Sequence, residues 1–140
     1  LLKANNLSEL VQSLYDSLGK DYGIEAYSLT LLGTAEDFPK SIARISTPDI
    51  AKQEVPSVLS STNATCGRLS ASEMNFLFGD SLNIVGSAAV VILRSKGNLG
   101  ILALGNSDSE YYTNDMGTIF IDYIAEIISL ILPNYLHVQN

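Results

Sequence analysis

The sequence predicts an α+β domain: a central antiparallel β-sheet with the terminal helices on one face and short helices and loops on the other. Three observations carry that prediction. Apolar residues recur at helical spacing near both ends, a capping box opens a short helix in mid-chain, and after it two apolar runs flank a five-residue Gly-containing loop. Leu7, Leu10, Val11, Leu14 and Leu18 form the stripe of the first helix, with Gly19 marking its end. From Ile24 to Leu32, Tyr27, Leu29 and Leu31 share one face of a strand and Ser28 and Thr30 the other. A turn from Gly33 to Lys40 leads into a short strand from Ser41 to Ser46. Thr47 with Pro48 then opens a helix through about Ser60, against which Pro56 argues.

Ser70 and Glu73 make the capping box ahead of Met74, Phe76, Leu77 and Phe78, and Gly79 closes that helix. The runs Gly86 to Leu93 and Leu99 to Gly105 read as a hairpin. The first of them does not alternate, so both its faces are expected to be covered. A last helix from Asp115 to Leu132 places Met116, Ile119, Phe120, Tyr123, Ile124, Ile127, Ile128 and Ile131 on its stripe, and Pro133 stops it.

Composition bounds the function. The chain has 140 residues, one domain's worth, and 46% are hydrophobic while only 16% are charged. An unusual share of the surface must therefore be apolar, polar but uncharged, or covered by a partner. The net charge of −7 repels nucleic-acid backbones and anionic lipid headgroups, which argues against direct binding to either. A single cysteine, Cys66, forbids an intrachain disulfide and fits a reducing, cytoplasmic compartment. Asp122 and Glu126 interrupt the most apolar stretch, so no membrane span is expected.

Five motifs resemble one family in register: Cys66-Gly67-Arg68-Leu69, Phe76-Leu77-Phe78-Gly79, Gly86-Ser87-Ala88-Ala89, Gly100-Ile101-Leu102-Ala103-Leu104-Gly105 and Met116-Gly117-Thr118. Together they resemble the DUF484 family, whose members look like GAF domains. The resemblance implies a GAF-like domain over residues 21–140, and a helix over residues 1–20 continuing a helical segment upstream of Leu1. It attaches no activity. Residues that specialised GAF branches require are missing. Cys66 is followed by Gly67 rather than a bilin-site histidine, a second redox cysteine is lacking, and no Asn-Lys-Phe-Asp-Glu signature of cyclic-nucleotide binding occurs.

Catalytic chemistry finds little support. The only histidine, His137, lies beyond the last helix, where a Ser-His-Asp or Cys-His arrangement is out of reach. Asn106, Asp108 and Glu110 mimic the start of a calcium loop, but Tyr111 and Gly117 stand where that loop needs Gly and Glu. No phosphate-cradling glycine pattern is present, and no cofactor is identified. Cys66 reads as a small buried hydrophobe or a reactive thiol. Arg68 either orients an anionic ligand or forms a structural ion pair. Tyr111 and Tyr112 either gate a pocket or cap the hairpin edge.

The expected function is a non-enzymatic regulatory or sensory module that binds a small molecule. Its pocket is placed between the sheet and the mid-chain helices, lined by Phe76, Phe78 and Leu102, with Arg68, Ser87 and Tyr112 as polar contacts. The last helix, apolar on more of its circumference than one sheet can cover, and Leu1-Leu2, which extend the apolar stripe of the first helix, predict a homodimer through the two terminal helices. The competing reading is an interaction scaffold with no ligand.

Overall fold

Asn6 starts the first helix, α1 (Leu7–Asp16), because its side chain accepts the otherwise orphaned Glu9 amide at 2.9 Å. The computed structural model describes residues 4–61, 64–67, 69–79, 85–95, 97–113 and 119–136. Leu7, Leu10, Val11 and Leu14 are buried as their spacing predicts. The helix does not stop at Gly19. It widens into a π-helical turn over Ser17–Asp21, and Gly23, at φ 65°, is the residue that leaves the helical region. Gly19 has a packing role, since a Cβ there would lie 3.0 Å from the Tyr27 hydroxyl.

Strand β1 (Ala26–Leu32) is followed by β2 (Arg44–Ser46), α2 (Pro48–Glu54), α3 (Pro56–Ser60), β3 (Thr65–Gly67) and α4 (Ala71–Phe78). The hairpin strands β4 (Ser87–Arg94) and β5 (Asn98–Asn106) and the last helix α5 (Ile119–Ile131) complete the chain. The sheet order is β2-β1-β5-β4-β3. All neighbours are antiparallel except β2, which runs parallel to β1 with Thr30 opposite Arg44. The sheet is thus mixed rather than wholly antiparallel. The cause is the connection over residues 33–43: too long for a tight hairpin, it carries the chain back to the start of the neighbouring register. A short 3₁₀ turn organises it, with Asp37 accepting from the Thr34 amide and hydroxyl.

The helix expected from Thr47 to Ser60 is broken in two. Pro56 lacks an amide hydrogen and pushes Val55 out of the helical region, to φ −135° and ψ 57°. The capping box at Ser70 and Glu73 and the Gly79 stop both form as read. Strand β3 had no signal of its own, being three residues long and apolar only at Cys66.

Two cores flank the sheet. Leu29, Leu31, Val91, Leu93, Leu102 and Leu104 face α1 and α5, whereas Ala88, Val90, Ile92, Ile101 and Ala103 face α2, α3 and α4. Both faces of β4 are buried, as its unbroken apolar run predicts. The second face of β1 is covered as well. Ser28 and Thr30 are buried beneath the mid-chain helices, and neither hydroxyl has a hydrogen-bond partner. The stripe assigned to α5 is also corrected. Ile121, Ala125 and Ile128 are the buried residues, while Ile119 and Tyr123 stand 85% and 62% exposed. The helix is apolar around most of its circumference, so apolarity alone could not choose the face that packs. The expected start of this helix, from Asp115 through Met116 to Thr118, lies outside the described residues.

Candidate functional site

A single row of the sheet register forms the floor of the candidate site. Cys66 pairs with Ala89, Ala89 with Leu104, and Leu104 with Tyr27, so all four side chains point to the face covered by α1 and α5. The two terminal helices cover different strands, and above the middle of this row they leave a half-open cavity of about 320 Å³. Tyr22 and Ile24, from the link between α1 and β1, close one part of it. Phe120 and Ile121 come from α5, and Tyr111 and Tyr112 from the loop after β5. The rings meet in two edge-to-face pairs: Tyr22 with Phe120 at 4.9 Å between centroids, and Tyr111 with Tyr112 at 4.8 Å.

The loop carrying Tyr111 and Tyr112 is pinned from three directions. Ser87, fully buried, donates its hydroxyl to the Asp108 carbonyl at 2.7 Å and accepts from the Tyr112 amide at 3.1 Å. Glu25 accepts from the Ser107 amide at 2.8 Å. Asn106 and Asp108 accept from the Asp108 and Glu110 amides, so these side-chain oxygens serve local turns. No group of three or more metal-ligating side chains occurs among the described residues. Gly86 is required where the loop returns, because a Cβ there would clash with the Ser107 carbonyl oxygen.

Both titratable lining groups with displaced pKa values are held in their neutral forms. Burial pushes the Cys66 thiol above its ordinary value, and the Asp122 carboxylate adds to the shift. Burial, then Tyr111, Cys66 and Glu25, push the Tyr112 phenol up to about 12. At neutral pH the cavity therefore presents a protonated thiol and phenol rather than nucleophiles.

The structure separates most of the residues that the sequence grouped into one site. Tyr112 lines the aromatic cavity. Ser87 acts one layer behind it, with its hydroxyl committed to the loop. Leu102 is fully buried on the α1/α5 face, whereas Phe76 and Phe78 lie on the opposite one, so these three cannot line one pocket. The period of two along β5 separates them. Phe78 is core, and Phe76 lines a hollow of about 520 Å³ at the β2 edge with Gly33, Ile45 and Ile50. Arg68 and His137 lie outside the described residues. Of the lining residues the sequence did not place in the site, Tyr111 was signalled by its neighbour, while Tyr22 and Phe120 had no local signal.

Fold and cavity together define a two-cored α+β sheet domain, consistent with a GAF-like fold, with an aromatic cavity beside its last helix. The family model described as "Protein of unknown function, DUF484" matches residues 1–137, and the chain belongs to that family. No curated protein matches the chain. No helix among the described residues is long and apolar enough to cross a membrane.

Proposed function

We propose that the domain is a non-enzymatic, regulatory or sensory module whose small-molecule ligand occupies the aromatic cavity over Ala89 and Leu104. The observation that carries this reading is the cavity itself. Its volume, about 320 Å³, is ligand-sized, and its lining is largely apolar and aromatic, as recognition sites commonly are. The groups that would do acid–base or nucleophilic work there are kept neutral, which favours binding over turnover. On this reading the pocket lies on the α1/α5 side of the sheet rather than on the mid-chain side expected from the sequence. Native mass spectrometry after gentle purification tests the reading. A copurifying small molecule, displaced when Ala89 or Leu104 is enlarged, is the expected result. A ligand retained by those variants, or turnover of the bound molecule, would overturn it.

A second reading is favoured by the exposed apolar face of α5, where Ile119, Tyr123 and Leu130 have no cover. Here the domain is an interaction scaffold, and a homodimer through the terminal helices hides that face. Light scattering at micromolar concentration distinguishes monomer from dimer, and Tyr123→Glu with Leu130→Glu should dissociate such a dimer without unfolding it.

A further inference from the structure

The chemistry of the rim points to a ligand class, an inference that rests on the cavity being a ligand site. Two ring pairs from separate parts of the chain converge on the same space, Tyr22 with Phe120 and Tyr111 with Tyr112. Aromatic faces carry negative potential and attract cations within about 6 Å of the ring centroid. No charged side chain lines the cavity among the described residues, so a bound ion would not be recognised by a direct salt bridge there. The carboxylates fixed beside it are Glu25, on the amide of Ser107, and Asp122, on the amide of Ala64 two residues before Cys66. Burial is the main cause of the raised Tyr112 and Cys66 pKa values, and Glu25 and Asp122, respectively, add to it. The chain as a whole carries −7.

These features discriminate among ligands. An anion would enter against the field of Glu25 and Asp122, with neutral phenol and thiol donors but no cationic side chain among the described lining residues to offset its lost hydration. A primary ammonium would forfeit strong hydrogen bonds to water. A neutral apolar molecule would gain from burial alone. An alkylated ammonium spreads its charge over methyl groups, is weakly hydrated, and gains from burial, ring faces and field together. We propose that the cavity binds an organic monocation of the quaternary ammonium class, its alkylated nitrogen seated among the rings of Tyr22, Tyr111, Tyr112 and Phe120.

The test is an amide-resolved NMR titration of the isotopically labelled protein with three probes of one shape. Choline is the cation, 3,3-dimethylbutanol its neutral isostere, and 3,3-dimethylbutyrate the anion. Choline is expected to move the amides at Tyr22, Tyr111, Tyr112 and Phe120 and to bind at least about fivefold more tightly than the alcohol, with the carboxylate weakest. Tyr111→Leu, at a half-exposed ring outside the core, should keep the fold and abolish the preference, whereas Tyr111→Phe should retain it. Equal or tighter binding of the alcohol or the carboxylate at these residues overturns the cation class and leaves the cavity a ligand site. Failure of all three probes to move them also overturns the class, and the copurification experiment then judges the cavity separately.

Discussion

Thr30→Val should stabilise the domain, the opposite of what most buried substitutions do. Thr30 is 2% exposed, sits between Arg44 of β2 and Ile101 of β5, and lies under the mid-chain helices. Its hydroxyl oxygen has no hydrogen-bond partner. A hydroxyl buried without a partner carries a desolvation penalty of about 1–3 kcal/mol. Valine keeps the branched shape at Cβ, suits a strand equally well, and replaces the hydroxyl with a methyl group suited to the apolar core on that face of the sheet. A gain of about 1–2 kcal/mol is expected once imperfect fit of the methyl is allowed for. In thermal unfolding that is a rise of about 3–10 °C for a domain of this size. Urea titration should show a higher midpoint with an unchanged slope. A loss of more than about 1 kcal/mol would refute the reasoning, because it would mean that the hydroxyl serves a bound water or ligand whose removal costs more than its desolvation.

Leu102→Ala, at a fully buried position facing α1 and α5, should cost about 2–5 kcal/mol in urea titration, and a loss below 1 kcal/mol would mean that this core can collapse onto the gap. Tyr15→Phe removes the hydroxyl that accepts from the Leu29 amide at 2.8 Å, just before the stretch of β1 that β2 pairs. It should cost about 1–2 kcal/mol, with faster hydrogen exchange at Leu29 as the local readout. Cys66, Tyr15 and Tyr112 all have pKa values raised above their ordinary 9.0, 10.0 and 10.0 by burial. The folded state therefore holds these protons more tightly than the unfolded one. The stability they contribute is complete below about pH 9 and is lost as pH climbs, with the Tyr112 share lost between about 10 and 12. Denaturant midpoints measured at intervals from pH 8 to 12 should fall along that course, and Tyr112→Phe should flatten the portion above pH 10.

The fold was legible wherever a residue's local chemistry dictates backbone shape. The Ser70 and Glu73 capping box, the Gly79 stop and the hairpin all act within a few residues of where they are read. Legibility failed where the answer is set by what packs from far away. Ser28 and Thr30 alternate with apolar residues as a half-exposed strand would, yet helices from later in the chain cover them. In α5 nearly every face is apolar, so the sheet selects Ile121, Ala125 and Ile128 by geometry rather than by composition. The parallel edge strand follows from the path of residues 33–43, which contains no hairpin turn to signal its direction. The cavity was illegible for the same reason. Tyr22, Cys66, Tyr111 and Phe120 are spread over almost a hundred residues, and only the strand register brings them to one row and one rim. Tyr111 and Tyr112 were visible as a pair, but nothing in the sequence said on which face of the sheet the loop would fold.

That register makes Ala89 the most informative position in the cavity. A central β4 position buried on both sides would ordinarily carry a branched residue, as Val91 and Leu93 do on the same face. Ala89 instead leaves the floor low between Cys66 and Leu104, directly beneath the aromatic rim. Enlarging a packed core residue costs about 1–3 kcal/mol through overpacking. Here the added carbons of Ala89→Leu enter open space, and each buried methylene contributes about 0.8 kcal/mol. The substitution should therefore leave stability unchanged or raise it by up to about 2 kcal/mol in urea titration, while excluding any small molecule from the site. A loss above 2 kcal/mol would show that the space over Ala89 is already filled by the protein's own side chains. Stability retained together with an undiminished copurifying ligand would place the ligand elsewhere. Only a stable variant stripped of its ligand fits a cavity kept open for binding.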